Sequence, residues 1–186
     1  MIHMVQKINN IDLEIVELLL KKDNHIRGIA KELDESHSTI LRKLKNLKEK
    51  KAIDFRTEGK NKIFFLNKNL ITRNYILEAE LYKLNKLLWK HPELQVVFEE
   101  ILKKTDKKLI ILFGSYAKES EIKDSDIDIY IETDNRKEKT LIEGIYSKIN
   151  VKIGPFNNKS PLIQEIIKDH IIIRGVEAFY DKQVSK

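Results

Sequence analysis

Residues 109–132, LIILFGSYAKESEIKDSDIDIYIE, leave a folding chain few options. An apolar run from Leu109 to Phe113 ends in Gly114-Ser115. After ten further residues come Asp126 and Asp128, one residue apart in a second apolar run. Successive side chains of a strand project to opposite faces. Asp126, Asp128 and Glu132 therefore share one face, and Ile127, Ile129 and Ile131 take the other, toward a core. Folding alone gives no reason to set two carboxylates side by side, because like charges at that range oppose each other's ionisation. A divalent cation removes the conflict. Hard oxygen ligands suit Mg²⁺, and Mg²⁺ commonly arrives with phosphates.

Upstream, Leu and Ile recur at helical spacing from Ile11 to Lys22 (Ile11, Ile15, Leu18, Leu19), with Asn10 as N-cap. A short helix is expected over Ile26–Leu33, burying Ile26, Ile29, Ala30 and Leu33, and Asp34-Glu35-Ser36 breaks it. A third helix is expected from His37 to Lys50, with Ile40, Leu41, Leu44 and Leu47 inward and Arg42, Lys43, Lys45, Lys48 and Lys50 outward. Strands at Ile53–Phe55 and Ile63–Leu66 flank a Glu58-Gly59-Lys60-Asn61 turn. Asn69 to Lys90 reads as a helix, Pro92 resets the chain, and Glu93–Lys104 is a second helix. Strands and helices then alternate: Lys108–Phe113, a short helix from Tyr116, Ser125–Glu132, a helix over Arg136–Lys148, Ile149–Ile153, a helix over Ser160–His170, and a closing strand over Ile171–Tyr180. That order is α/β.

The Gly114, Ser115, Asp126 and Asp128 pattern resembles the signature of the DNA polymerase β nucleotidyltransferase superfamily. It is most similar to its small branch, the minimal nucleotidyltransferases. The resemblance covers the chain from about Lys107 onward. It implies transfer of a nucleotidyl group from a nucleoside triphosphate, ATP being the first choice, to an acceptor hydroxyl. Asp126 and Asp128 would be the catalytic pair and hold Mg²⁺, and Gly114-Ser115 would lie against the phosphates. Members of the family usually bring a third carboxylate from a neighbouring strand. Here that strand reads Ile149-Asn150-Val151-Lys152-Ile153, and by alternation Asn150 and Lys152 stand where the acid belongs. Asn150 cannot act as a base, Lys152 opposes metal while attracting phosphate, and Glu132 lies too far along to substitute. Whether the domain is an active enzyme stays open at this point.

Three helices followed by a hairpin resemble the winged helix-turn-helix of microbial transcription regulators. That resemblance implies double-stranded DNA as a partner, with the third helix in the major groove. Ser36, His37, Ser38, Thr39, Arg42 and Lys43 are the side chains placed to meet it, with Arg56, Lys60 and Lys62 of the wing on phosphates. The helix from Asn69 either forms a homodimer or packs on its own second domain. His25, His91 and His170 fall at helix ends as capping residues, no histidine spacing suggests a metal, and Trp89 reads as core.

Three segments result: a winged helix-turn-helix over 1–68, a helical connector over 69–105, and a nucleotidyltransferase-like mixed sheet with helices over 106–186. With 186 residues, no cysteine and a net charge of +6, the chain has no disulfide or cysteine zinc site and tolerates polyanions. No apolar run spans a bilayer and the opening MIHMVQKINN lacks a leader's features, so a cytoplasmic protein is expected. Two functions follow. One is a DNA-bound, Mg²⁺-dependent nucleotidyltransferase, antitoxin-like if its acceptor is a toxin-like partner protein. The other is a transcriptional regulator whose nucleotidyltransferase domain is degenerate and senses nucleotide. A third, weaker reading makes both modules protein-interaction surfaces.

Overall fold

Asn10 opens the fold by accepting the Leu13 amide and starting α1 (Ile11–Lys21). The computed structural model describes residues 10–184; the first nine residues, part of the stretch read above for a leader, lie outside them. α1 buries Leu13, Ile15, Val16 and Leu19, whereas Ile11 and Leu18 are only half-buried. The stripe is rotated from the expected one because α1 packs against both the third helix and the hairpin. A two-residue strand not foreseen from the sequence, β1 (Asn24–His25), precedes α2 (Ile26–Glu32), and His25 Nδ1 caps α2 by accepting the Gly28 amide at 2.7 Å. Of the stripe expected on α2, only Ile29 is fully buried.

Ser36 Oγ accepts the Thr39 amide at 3.1 Å and starts α3 (His37–Glu49). Ile40, Leu44 and Leu47 of α3 are buried. Leu41, expected inward, is 52% exposed. At 100° per residue it lies outside the arc those three define. β2 (Ile53–Glu58) and β3 (Asn61–Leu66) form an antiparallel hairpin in register from Ile53 opposite Leu66 to Glu58 opposite Asn61. Its ladder runs further than the apolar residues alone suggested, because Gly59 at φ +59° permits a two-residue loop. With β1 joining β3, the sheet order is β1-β3-β2 and the whole is a winged helix-turn-helix.

α4 (Leu70–Lys90) begins where the Thr72 hydroxyl donates to the Ala52 carbonyl and Asn69 caps the Thr72 amide. Two compact units divide within this helix, the first ending at Ala79 and the second beginning at Glu80. Trp89, expected as core, is 49% exposed, and its ring lies edge-on to Tyr82. Among the described residues no helix is long and apolar enough to cross a membrane.

The second unit continues through α5 (Glu93–Lys104), β4 (Ile110–Phe113), α6 (Gly114–Ala117), β5 (Ile127–Ile131), α7 (Arg136–Glu143), β6 (Ile149–Ile153), α8 (Pro161–Lys168), β7 (Ile171–Arg174) and α9 (Val176–Val184). The sheet order is β6-β5-β4-β7, with β5 and β6 parallel and the other pairs antiparallel. Both faces are covered. Ile110, Leu112, Ile127, Ile129, Ile131 and Val151 pack with α5 and α7, while Leu109, Ile111, Phe113 and Tyr130 pack with Ile163, Ile166 and Phe179 of α8 and α9.

Two expected boundaries move. α7 stops at Glu143 with Gly144 as C-cap, short of Lys148. The closing strand ends at Arg174, and the rest of the expected strand, to Tyr180, is helix. Gly175 makes that change at φ +93°, where a Cβ would lie 2.0 Å from the Lys108 carbonyl. Arg174 donates to the Leu102, Thr105 and Lys107 carbonyls and so closes the end of α5. His170 Nδ1 lies 2.9 Å from the Ile166 carbonyl, which can only accept, and so satisfies the end of α8.

Candidate nucleotide site and nucleic-acid face

β4 ends at Phe113, and the chain turns at Gly114 (φ +72°) into the single helical turn α6. Beside it, β5 carries Asp128 opposite Phe113, with Asp126 exposed just before the strand. Gly114 is held against Asp128 so closely that a Cβ would meet Asp128 Oδ2 at 2.2 Å. Glycine is required there twice, for the left-handed backbone and for the contact. Gly114→Ala should cost about 1–3 kcal/mol and displace the Asp128 carboxylate; urea unfolding measures the first and nucleotide binding the second. The other face of the strand behaves as alternation predicted, with Ile127, Ile129 and Ile131 buried. The aspartate face does not stay open: two residues on, it becomes Tyr130, fully buried under α8 and α9. The carboxylates thus sit at the rim of a packed layer.

Burial pushes the Asp128 carboxyl above its ordinary range, and the negative charge of Asp126 adds to the shift. The Asn150 hydrogen bond and the Lys152 charge oppose it. A half-buried carboxylate held next to another is the electrostatic state a cation relieves. The described residues contain no cluster of three or more acids or histidines able to hold a metal. Two carboxylates nonetheless suit Mg²⁺, which commonly takes one or two of them and completes its shell with water and phosphate oxygens.

In the first unit, Ser36, His37, Ser38 and Arg42 are exposed at the start of α3, and Thr39 is half-buried. Ser36 Oγ lies 3.0 Å from Ser38 Oγ and 2.8 Å from Thr39 Oγ1, so the three hydroxyls form one small network. Lys43 departs from the group. It turns to α1 and pairs with Asp12 at 3.2 Å, which removes it from the outward face. On the hairpin, Lys60 and Lys62 are exposed, and Lys62 sits 4.4 Å from the Phe55 ring centre. Arg56 is exposed but paired with Asp23 and Glu58.

The segment that holds both motif halves is also the one that matches a known family. Residues 94–177 match the model of the nucleotidyltransferase domain. This segment is a nucleotidyltransferase domain. No curated protein matches the chain. Among solved structures, a possible transcriptional regulatory protein fragment from Mycobacterium bovis aligns over 40% of this chain and 81% of its own, at 21% identity and TM-score 0.36. The adhesin competence repressor of Streptococcus pyogenes aligns over 53% and 80%, at 21% identity and TM-score 0.36. A toxin-antitoxin with AMP-PNP aligns over 56% and 83%, at 21% identity and TM-score 0.34. At these scores the winged-helix assignment rests on the order of helices and hairpin in residues 10–79 themselves.

Within the nucleotidyltransferase domain, β6 places Asn150 opposite Asp128 and Lys152 opposite Tyr130 in parallel register. Asn150 Nδ2 donates to Asp128 Oδ1 at 2.7 Å. The neighbouring strand therefore contributes an orienting amide where a carboxylate was sought. Lys152 is exposed, and Glu132 is engaged elsewhere, accepting from the Phe156 amide and from Lys182. Two charged groups that the sequence pattern did not mark flank the pair. Lys118, just after α6, makes an ion pair of 2.6 Å with Glu165 of α8, and Glu165 adds to the negative field on Asp128. Nothing local signals that pairing, since the partners are 47 residues apart.

The connection between the two motif halves is stapled down. Glu121 accepts from Lys90 and lies 3.0 Å from His91 Nε2, and the Lys90 hydrogen bond brings its carboxyl to about 2 against the opposing effect of burial. Lys148 donates to the Lys123 carbonyl and pairs with Asp124. His91, expected only to cap, thus also anchors the loop that delivers Asp126.

Proposed function

We propose that the second unit is a Mg²⁺-dependent nucleotidyltransferase, with ATP as donor, carried on a DNA-binding module. One observation carries the reading: Gly114 lies against the Asp128 carboxylate, which brings the Gly-Ser backbone and the Asp-x-Asp pair into a single site. In that arrangement Asp126 and Asp128 hold the metal, and the Ser115 hydroxyl with the amides of α6 receives phosphate oxygens. Bound Mg²⁺ supplies charge stabilisation at the phosphates. Asn150 fixes the Asp128 rotamer, and the exposed Lys152 adds positive charge where a triphosphate enters, whereas Lys118, being paired with Glu165, contributes less. The acceptor is a hydroxyl of a partner molecule. Resemblance to minimal nucleotidyltransferases supports an antitoxin-like role on a partner protein in the cytoplasm, and the winged helix-turn-helix supports a homodimer on a two-fold DNA site. The test is incubation of the purified chain with α-labelled ATP and Mg²⁺, alone and with candidate partner proteins. Transfer of label supports the reading, and its absence in every mixture removes it.

A second reading is favoured by the Asn150 amide itself, which gives the site an orienting group and no base. Under it the domain binds nucleotide without transferring it, and the chain is a nucleotide-sensing regulator. Binding of ATP that stabilises the protein without label transfer is its signature.

For the first unit we propose binding to duplex DNA through α3 and the hairpin. The exposed Ser38, Arg42, Lys60 and Lys62 support it, and Lys43 and Arg56, being ion-paired, contribute less. Gel shifts on the DNA upstream of the protein's own gene should show affinity falling about 10-fold or more between 50 and 200 mM salt. Arg42→Ala should weaken binding at least about fivefold, and unchanged binding would count against this face.

A further inference from the structure

Leu41 is the one large apolar side chain of α3 that the fold leaves outside, 52% exposed. Its helical row is otherwise polar: His37 lies one turn before it, Lys45 one turn after and 3.9 Å from Glu49 at the row's end, and Ser38 and Arg42 lie alongside. The row runs toward the hairpin, since Lys48 at its far end pairs with Asp54 at 2.7 Å and covers the Phe55 ring at 4.1 Å. α3 buries Ile40, Leu44 and Leu47, and Leu41 stands outside that stripe. Charged neighbours at Arg42 and Lys45 suit a polyanion and disfavour an apolar protein groove. Among the features of a duplex's major groove, one is apolar, the C5 methyl of thymine.

We propose that Leu41 is a specificity residue that reads a thymine methyl in the major groove. This rests on the DNA-binding reading of the first unit and deepens it. Arg42 and Lys45 supply attraction to the duplex, and Leu41 converts part of that attraction into sequence preference. Losing one buried methyl corresponds to about a three- to fivefold change in affinity.

The experiment uses the full chain and a pool of duplexes randomised over about two helical turns. The duplex enriched by wild type is then remade with each thymine changed singly to uracil, which removes only the methyl. For wild type, at least one substitution should weaken binding three- to fivefold, and Leu41→Ala should be indifferent to that same substitution. Thermal unfolding of Leu41→Ala should match wild type, because the side chain is exposed. An enriched duplex on which no methyl matters, or on which both proteins lose equally, overturns the role of Leu41 and leaves DNA binding standing. A pool from which no duplex is enriched removes the DNA-binding reading and this inference together.

Discussion

Asp126→Asn and Asp128→Asn should each reduce label transfer from ATP by about 10²–10³-fold. A metal supplies several kcal/mol of charge stabilisation, and each 1.36 kcal/mol is a decade in rate. Both variants should also lose the stabilisation that Mg²⁺ and ATP confer on wild type, about 2.7 kcal/mol at a hundredfold excess over Kd. Neither should be less stable than wild type without nucleotide. In Asp128→Asn the new amide oxygen would still accept from Asn150, and a carboxylate whose ionisation burial opposes would be gone. Loss of function at unchanged or improved stability is the mark of a site maintained at the expense of the fold. Wild type that is stabilised by nucleotide yet transfers no label, with both variants unresponsive, supports the sensing function. Transfer unaffected by either substitution removes the site from Asp126 and Asp128 altogether.

What the sequence shows of this site is its local part. Strand alternation put Ile127, Ile129 and Ile131 in the core and Asp126 with Asp128 on the opposite side, because period two survives any packing. It also put Asn150 and Lys152 on the face that concerns Asp128. The hydrogen bond between Asn150 and Asp128 needed the parallel register of β5 and β6, which no local pattern sets. Ion pairs were invisible for the same reason: Lys43 with Asp12 and Lys118 with Glu165 are made by tertiary folding between residues 31 and 47 apart. Leu41 was misplaced because apolar spacing gave α3 a four-residue stripe, while the unit packs a narrower arc of three. The closing segment read as strand through Tyr180 because Ile171, Ile172, Ile173, Val176, Phe179 and Tyr180 are strand-favouring residues. The Gly175 turn ended it, and the α9 residues chose helix where Phe179 could enter the core.

Glu80→Ala should destabilise the second unit by about 3–5 kcal/mol, as removing one partner of a buried ionic group does. Glu80 is 2% exposed, accepts from the Tyr180 hydroxyl at 2.8 Å and from Lys83 at 3.1 Å, and lies 3.4 Å from His170 Nε2. Removing the carboxylate strands a Lys83 amine whose side chain is itself only 11% exposed. Burial pushes the Glu80 carboxyl upward, but His170, Lys83 and Tyr180 together pull it from the ordinary 4.5 to about 2. Because the folded value is the lower one, the contribution is complete above about pH 4.5 and is lost as pH falls toward 2. Its size at neutral pH is on the order of 3 kcal/mol. Urea unfolding at neutral pH should therefore separate wild type from Glu80→Ala widely, and the gap should narrow steadily below pH 4.5. Glu80→Gln should fall between the two, since its amide oxygen can still accept from Tyr180 while Lys83 loses its counter-charge. A gap that stays constant from neutral pH to pH 3 would mean that Glu80 acts by packing alone, and the ionic network joining α4, His170 and α9 would have to be withdrawn.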